Sequence, residues 1–142
     1  MNDSNRLWDS RVMKPLELDT RLPTPTRLLL CTNAAQYSKL LSSEGMDFEK
    51  PPFLREGADA TLHSLNDERG RPVYVVCVDD SRVNSGVAVA CLIFHEATHV
   101  WQNWCDRVGE TTPGREQEAY AIGWIARDLM FEYMRQKGIK DE

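Results

Sequence analysis

The stretch NSGVAVACLIFHEATHVWQNWCDRVG, residues 84 to 109, predicts one long α-helix around which the rest of the chain must fold. Asn84 or Ser85 suits the N-cap position, because a short polar side chain there accepts a hydrogen bond from the first backbone amides. Gly109 suits the position just after the helix, because glycine adopts the left-handed conformation without strain. The first half of the stretch is apolar on all sides, which predicts a central and buried helix.

A second long helix is predicted directly after the first. Thr112 suits an N-cap and Pro113 the first helical position, and REQEAYAIGWIARDLMFEYMRQKG continues the helix to a stop at Gly138. The connection, roughly residues 109 to 112, is short, so the two helices are expected to pack antiparallel. The early turns of the second helix then lie beside the C-terminal half of the first.

The part of the chain before these helices predicts strands and one short helix. Residues 27 to 32 (RLLLCT) predict a buried strand, and Asn33 is a suitable N-cap for a helix that ends near Gly45. Residues 59 to 65 and 72 to 78 flank the turn sequence NDERG and predict a β-hairpin. The order β–α–β–β–α–α corresponds to an α+β domain.

Composition and charge limit the class of protein. We expect residues 1 to 25, which include KPLELDTRLPTP, to form an irregular arm, and residues 26 to 142 to form a single domain. A net charge of −5 with scattered Lys and Arg argues against a nucleic-acid partner. The N-terminus lacks an apolar core and the run at residues 86 to 94 is too short to span a bilayer, so we expect a cytoplasmic protein with no membrane partner. The cysteines form no CxxC pair and are expected to be buried free thiols: Cys31, Cys77, Cys91 and Cys105.

The sequence HEATH, residues 95 to 99, places two histidines one helical turn apart. Side chains at i and i+4 lie on one helix face, so His95 and His99 can bind one metal ion. Glu96 is rotated from them by about 100° and can reach a water on that metal rather than the metal itself. Zinc held by two imidazoles and a further protein ligand lowers the pKa of its water to about 7, and a neighbouring carboxylate accepts the proton. The pattern therefore favours Glu96 as a general base.

The predicted helix has two distinct faces. One face is apolar and is expected to pack in the core: Ala90, Phe94, Ala97, Trp101 and Trp104. A narrower face carries the two histidines together with Cys91, Thr98 and Gln102. Cys91 precedes His95 by one turn, so its thiolate can in principle join the metal, although a small buried residue is the simpler interpretation.

A third metal ligand is expected from the second long helix. Its first turns carry Glu116 and Glu118, and the antiparallel return of the chain brings these turns near the histidines. Glu118 shares a face with apolar residues, whereas Glu116 shares a face with small residues that leave room for a metal. Acidic side chains in the first turn of a helix also interact favourably with the helix dipole. At least one of the two glutamates is expected to have only this role. His63 is a weaker candidate and is more simply a surface residue of the first hairpin strand.

HEATH followed by a glutamate on the next helix resembles the gluzincin-type zinc metallopeptidases, whose pattern is HExxH followed by ExxA or ExxxD. Glu116-Gln-Glu-Ala119 fits ExxA, so the resemblance favours Glu116 as the third zinc ligand, with Glu118 as the alternative. Many such families have an aspartate after that alanine, and this chain has Tyr120 there, which makes Tyr120 a candidate for supporting a ligand. HEATHVWQ and GETTPGREQEAYAIGWIA also resemble small zincin-like proteins of phages and prophages, over about residues 72 to 133.

The resemblance implies a minimal zincin-like fold and a small soluble zinc metallopeptidase that hydrolyses peptide bonds of a narrow protein target. If the chain is phage-encoded, it acts in the host cytoplasm. Pro72 to Asp79 (PVYVVCVD) is then the edge strand to which the substrate backbone adds. Tyr120, Tyr74 and Arg115 are candidate oxyanion donors, and the sequence does not choose among them. The alternative is a zinc-bearing binding or structural protein of phage origin that acts on a host partner without turnover.

Overall fold

The computed structural model describes Trp8 and residues 11–19, 24–46, 50–83 and 85–140. The fold is mixed α+β, and within the described residues its elements follow the predicted β–α–β–β–α–α order, with a 3-10 turn added before the long helix. The elements are β1 (Arg27–Cys31), α1 (Ala34–Ser43), β2 (Ala60–Asn66), β3 (Pro72–Val78), the 3-10 turn (Asp80–Arg82), α2 (Gly86–Val108) and α3 (Arg115–Lys137). Among these described elements, no helix has both the length and the apolar character needed to cross a bilayer.

β3 lies in the middle of a three-stranded sheet of order β1-β3-β2. β1 pairs with β3 in parallel and β2 pairs with it antiparallel, with Leu62 opposite Val76. The prediction that residues 72 to 79 form an edge strand is therefore wrong. Every residue of β3 after Pro72 is buried, as is typical of a strand that is covered on both faces. β2 is the strand at the sheet edge beside α2.

The sheet has a separate hydrophobic core on each face, because successive side chains of a strand point to opposite sides. One face packs on α1, and this core consists of Leu29, Cys31, Tyr37, Leu40, Leu41, Met46, Val73, Val75 and Cys77. The other face packs on α2 and α3, and its strand residues are Leu28, Leu30, Leu62, Tyr74, Val76 and Val78. Asn33 caps α1 as predicted, since its side chain accepts a hydrogen bond from the Gln36 backbone amide at 2.8 Å.

α2 has the predicted ends but not the predicted burial. Ser85 is its N-cap, and Gly109 ends it in the left-handed conformation at φ 74°. The expectation of a buried first half is wrong, because Val87 is 75% exposed and Phe94 is 50% exposed. Three strands and one neighbouring helix cover only part of the circumference of α2. The predicted core stripe is therefore wrong at Phe94, and the buried residues of α2 are Val89, Ile93, Glu96, Ala97, Val100, Trp101, Trp104 and Cys105.

α3 packs along α2 after a connection that is two residues longer than predicted. Gly114 is the N-cap of α3 and offers no side-chain cap, so the prediction of Thr112 as N-cap and Pro113 as first helical residue is wrong. Pro113 lies in the connection, where its fixed φ angle is equally compatible with the backbone. The predicted stop at Gly138 is confirmed by its φ angle of 69°.

The described part of the predicted arm, residues 11–19, contacts the side of the domain formed by β1 and the end of α3. The Leu18 backbone amide donates to the Leu28 carbonyl at 2.9 Å. The Leu16 amide donates to the Glu132 carboxylate at 2.8 Å. The chain therefore covers part of β1, whereas within the described residues no strand pairs with the outer edge of β2. The open edge of the sheet is the one next to the HEATH segment.

Candidate metal centre

His95 and His99 project from one exposed face of α2, as the spacing predicts. Their Nε2 atoms lie 3.1 Å apart. The two rings are nearly perpendicular, with an interplanar angle of 79° and a centroid separation of 4.7 Å. Both imidazoles therefore direct the same nitrogen to a single point above the helix.

Gln102 selects the tautomer of one of these histidines. Its Oε1 atom lies 3.1 Å from Nδ1 of His99. Because an amide oxygen only accepts hydrogen bonds, Nδ1 of His99 carries the proton and donates it. Nε2 of the neutral ring then has a free lone pair, which is the form of histidine that binds metals.

The separation of the two nitrogens fits a shared zinc ion. Two imidazole nitrogens at about 2.0–2.1 Å from zinc in tetrahedral geometry are about 3.3 Å apart. The observed separation of 3.1 Å is close to that value. Without metal, the same contact is a hydrogen bond from Nε2–H of His95 to the lone pair of His99. The geometry of the pair thus suits either a zinc ion or a proton between the two rings.

Glu96 is buried beside β2 and lines the same cavity as the two histidines. Its side chain is only 5% exposed. Burial raises the pKa of the Glu96 carboxyl above its ordinary value. The neighbouring His99 and His95 oppose this shift, and so do Arg55 and a hydrogen bond from the Leu62 backbone. A carboxylate with a raised pKa is a stronger base, which suits a group that must accept a proton.

A cleft of about 440 Å³ lies between the HEATH segment and β2. The floor of the cleft comes from α2, one wall from β2, and the end from the loop before β2. Its lining residues are Arg55, Ala58, Ala60, Thr61, Leu62, Ser64, His95, Glu96, His99 and Asn103. The histidine pair and the buried carboxylate thus open into one cavity beside the free sheet edge.

The two glutamates that were predicted as third ligands lie on different sides of α3. Glu116 is exposed, whereas Glu118 is half-buried and accepts a hydrogen bond from Nε1 of Trp101 at 2.9 Å. Glu118 also begins an ExxA pattern of its own with Ala121, which is fully buried. Among the described residues, no three His, Cys, Asp or Glu side chains converge closely enough to hold one metal ion. The structure brings the two histidines together and leaves both glutamates apart from them.

The remaining candidates lie elsewhere. His63 is buried on the α1 face of the sheet, where it contacts the Phe53 carbonyl and stacks on Tyr37, so the interpretation as a surface residue is wrong. Cys91 is exposed rather than buried.

The three candidate oxyanion donors are outside the cleft lining. Tyr120 is 60% exposed and its ring lies beside Trp124. Tyr74 is buried, and its hydroxyl accepts a hydrogen bond from Arg107 at 2.8 Å. Arg115 is exposed at the start of α3.

Asn103 and Arg55 are among the cleft residues that were not singled out from the sequence. Asn103 lies one turn after His99 and donates to its carbonyl at 2.8 Å. Arg55 belongs to the loop before β2 and reaches the cleft only through the tertiary fold. Asn103 was detectable from its spacing of i+4 to His99, but no local pattern marks a single arginine in the segment KPPFLREG.

Comparison of the chain with protein-family models, with curated proteins and with solved structures gives no match.

Replacing Gln102 with alanine is expected to weaken zinc binding by about 10- to 100-fold, the usual effect of removing a group that orients a ligand histidine. Without the amide oxygen, Nδ1 of His99 loses its acceptor and the ring loses its fixed tautomer. Competition with a zinc-sensitive dye measures the affinity. Thr98→Ala is the matched control, because Thr98 lies on the same face but bonds only the Phe94 carbonyl. Equal affinities of the Gln102→Ala variant and the wild type would show that Gln102 does not orient a ligand.

Proposed function

We propose that this protein is a zinc-dependent hydrolase of peptide bonds. One observation carries the proposal: two imidazole nitrogens lie 3.1 Å apart at the mouth of a cleft that also contains a buried carboxylate. Paired histidines one helical turn apart and an adjacent glutamate are the groups that zinc-assisted hydrolysis requires. The resemblance of HEATH and the following helix to gluzincin-type peptidases is consistent with this chemistry.

His95 and His99 are the proposed zinc ligands, and Glu118 is the better candidate for the third. Both glutamates lie apart from the histidines among the described residues, but Glu118 is half-buried and contacts Trp101 of α2, whereas Glu116 is exposed. One oxygen of Glu118 accepts from Trp101, and a carboxylate has a second oxygen available. Glu116 remains the candidate favoured by the resemblance.

Glu96 is the proposed general base. Zinc bound at this site supplies a Lewis acid that makes water a good nucleophile near neutral pH. Glu96 accepts a proton from the attacking water and returns it to the leaving amine, which departs as a neutral group. The burial of Glu96 against β2 holds the carboxylate in one position during both transfers.

β2 is the proposed binding site for an extended substrate. Its outer edge has no strand partner among the described residues and borders the cleft that contains Glu96. A substrate backbone that pairs with this edge passes over the histidines. The cleft of about 440 Å³ has few pockets for side chains, which favours a narrow protein target over general digestion.

A peptide digest with and without zinc tests the proposal. Protein stripped of metal by a chelator is incubated with a mixture of short synthetic peptides, before and after zinc is added back, and products are identified by mass spectrometry. Cleavage that appears only with zinc supports the proposal. If the zinc-loaded protein leaves every peptide and every unfolded protein substrate intact, the hydrolase proposal fails.

Binding without turnover is a second candidate function, and one observation favours it. Both histidines are exposed, and within the described residues no third side chain joins them. Such a pair leaves coordination positions on zinc that a group from a partner protein can fill. If this second function is correct, a partner protein stays bound and uncleaved when it is mixed with the zinc-loaded protein. The same partner does not bind the His95→Ala variant.

A further inference from the structure

Arg55 is held at the end of the cleft by two hydrogen bonds of its backbone. Its amide donates to the Thr61 hydroxyl of β2 at 3.0 Å. Its carbonyl accepts from the Ala58 amide at 3.0 Å, closing a tight turn that Gly57 permits with a φ angle of 78°. The base of the Arg55 side chain is therefore fixed relative to the sheet edge and to the HEATH segment.

Arg55 is exposed, and none of the ion pairs among the described residues includes it. Other arginines of this chain differ in this respect, because Arg27 and Arg135 each bond a carboxylate directly. Arg55 lines the same cleft as His95, Glu96 and His99. The cleft thus contains a positive charge that has no ion-pair partner among the described residues and lies beside the groups proposed for catalysis.

We propose that Arg55 binds a carboxylate of the substrate and so gives the site a preference for acidic or C-terminal segments. The inference rests on the proposed peptide hydrolysis and adds a substrate class to it. A guanidinium presents paired N–H donors that match the two oxygens of a carboxylate. A substrate lying along β2 has its backbone positioned by the strand edge, and its carboxylate is then fixed by Arg55. The carboxylate is either the C-terminus of the substrate or an Asp or Glu side chain.

Four matched peptides separate these two sources. The first is a hexapeptide of alternating alanine and serine with a neutral aminobenzoyl group at its N-terminus and a free C-terminal carboxylate. The second is the same peptide with an amidated C-terminus. The third and fourth are amidated and carry one internal glutamate or one internal glutamine. Binding to the zinc-loaded protein is followed by NMR titration, and kcat/KM is measured wherever cleavage occurs.

The wild type is expected to favour one carboxylate peptide over its neutral counterpart by about 10- to 100-fold, the range for a charge-assisted hydrogen bond. Arg55→Gln should reduce this preference to within about twofold, and Arg55→Glu should reverse it. Arg69→Gln is the matched control, because Arg69 is an exposed arginine of the β2–β3 turn that does not line the cleft. It should leave the preference unchanged, and none of these substitutions should alter zinc content.

The outcomes separate this inference from the proposed function. If the wild type binds the charged and neutral peptides equally, or if Arg55→Gln keeps the full preference, Arg55 does not select a carboxylate, and cleavage of any peptide leaves the hydrolase proposal intact. If no peptide is cleaved, the binding titrations alone show whether Arg55 selects a carboxylate. The pair of peptides that shows the preference identifies the C-terminal or the side-chain carboxylate.

Discussion

Glu96→Gln is expected to lower kcat for peptide cleavage by about 10²- to 10⁴-fold and to leave zinc bound. Glutamine has the shape of glutamate but cannot accept a proton from water near neutral pH. The amide oxygen can still accept the hydrogen bond from the Leu62 backbone, so the side chain stays against β2. Steady-state kinetics on a cleaved peptide and elemental analysis of the same sample measure the two properties together.

Asp106→Asn is the matched control for Glu96→Gln. It removes one negative charge from the same helix at an exposed position outside the cleft. The control variant should retain the activity of the wild type. If Glu96→Gln cleaves peptides at the wild-type rate with zinc bound, Glu96 is not the base. If the variant loses zinc as well as activity, Glu96 acts as a ligand or supports the site structurally.

Glu118→Gln is expected to weaken zinc binding by more than about 100-fold. This loss is larger than the one expected from removing a residue that only orients a ligand. Removal of the carboxylate charge lowers the attraction for a divalent cation, and an amide oxygen is a poor ligand for zinc. The glutamine amide oxygen can still accept the Trp101 indole hydrogen bond, which preserves the packing of α2 on α3. The affinity is measured by competition with a zinc-sensitive dye.

Glu116→Gln is the matched comparison, since it removes an equal charge from the same turn of α3 on its exposed face. The zinc affinity of this variant should stay within about twofold of the wild-type value, because solvent and salt screen an exposed charge. His95→Ala gives the reference for loss of a proposed histidine ligand. A large loss in Glu116→Gln alone would instead assign the third position to the glutamate that the resemblance favours. Unchanged affinity in both variants would mean that neither glutamate binds the metal.

The ends of the helices could be predicted from sequence because local residues determine them. Gly109 and Gly138 each adopt the left-handed conformation that glycine tolerates, and Asn33 caps α1 with its own side chain. The start of α3 was misplaced because Pro113 fits the first helical position and an extended connection equally well. A proline is therefore a weaker indication of a helix boundary than a glycine that adopts a positive φ angle.

The arrangement of the sheet could be predicted only in part. The zincin resemblance implied an edge strand at residues 72 to 79, and Pro72 suits either the first residue of a strand or an edge, because proline lacks the amide that a neighbouring strand needs. The following residues of β3 are all buried, and a continuous apolar run of this kind is the stronger signal of a central strand. Local sequence patterns could not predict the exposure of Val87 and Phe94, because it depends on how many strands cover α2.

The histidine pair of the candidate site was predicted from its i and i+4 spacing, whereas a third ligand on α3 stays a prediction. ExxA occurs twice in overlapping register, at Glu116–Ala119 and at Glu118–Ala121. Only the rotation of α3 against α2 distinguishes the two, and it turns Ala121 inward while Ala119 is exposed. The contribution of Arg55 also depends on tertiary structure, because the loop before β2 folds back onto the cleft.

Calorimetric titration of the metal-free wild-type protein with zinc tests most directly whether the HEATH histidines form a metal centre. We expect binding of one zinc ion per chain with a dissociation constant below about 1 μM, and no binding at that site in the His95→Ala/His99→Ala double variant. Absence of binding by the wild type, or equal binding by the double variant, would contradict a zinc centre at these two residues.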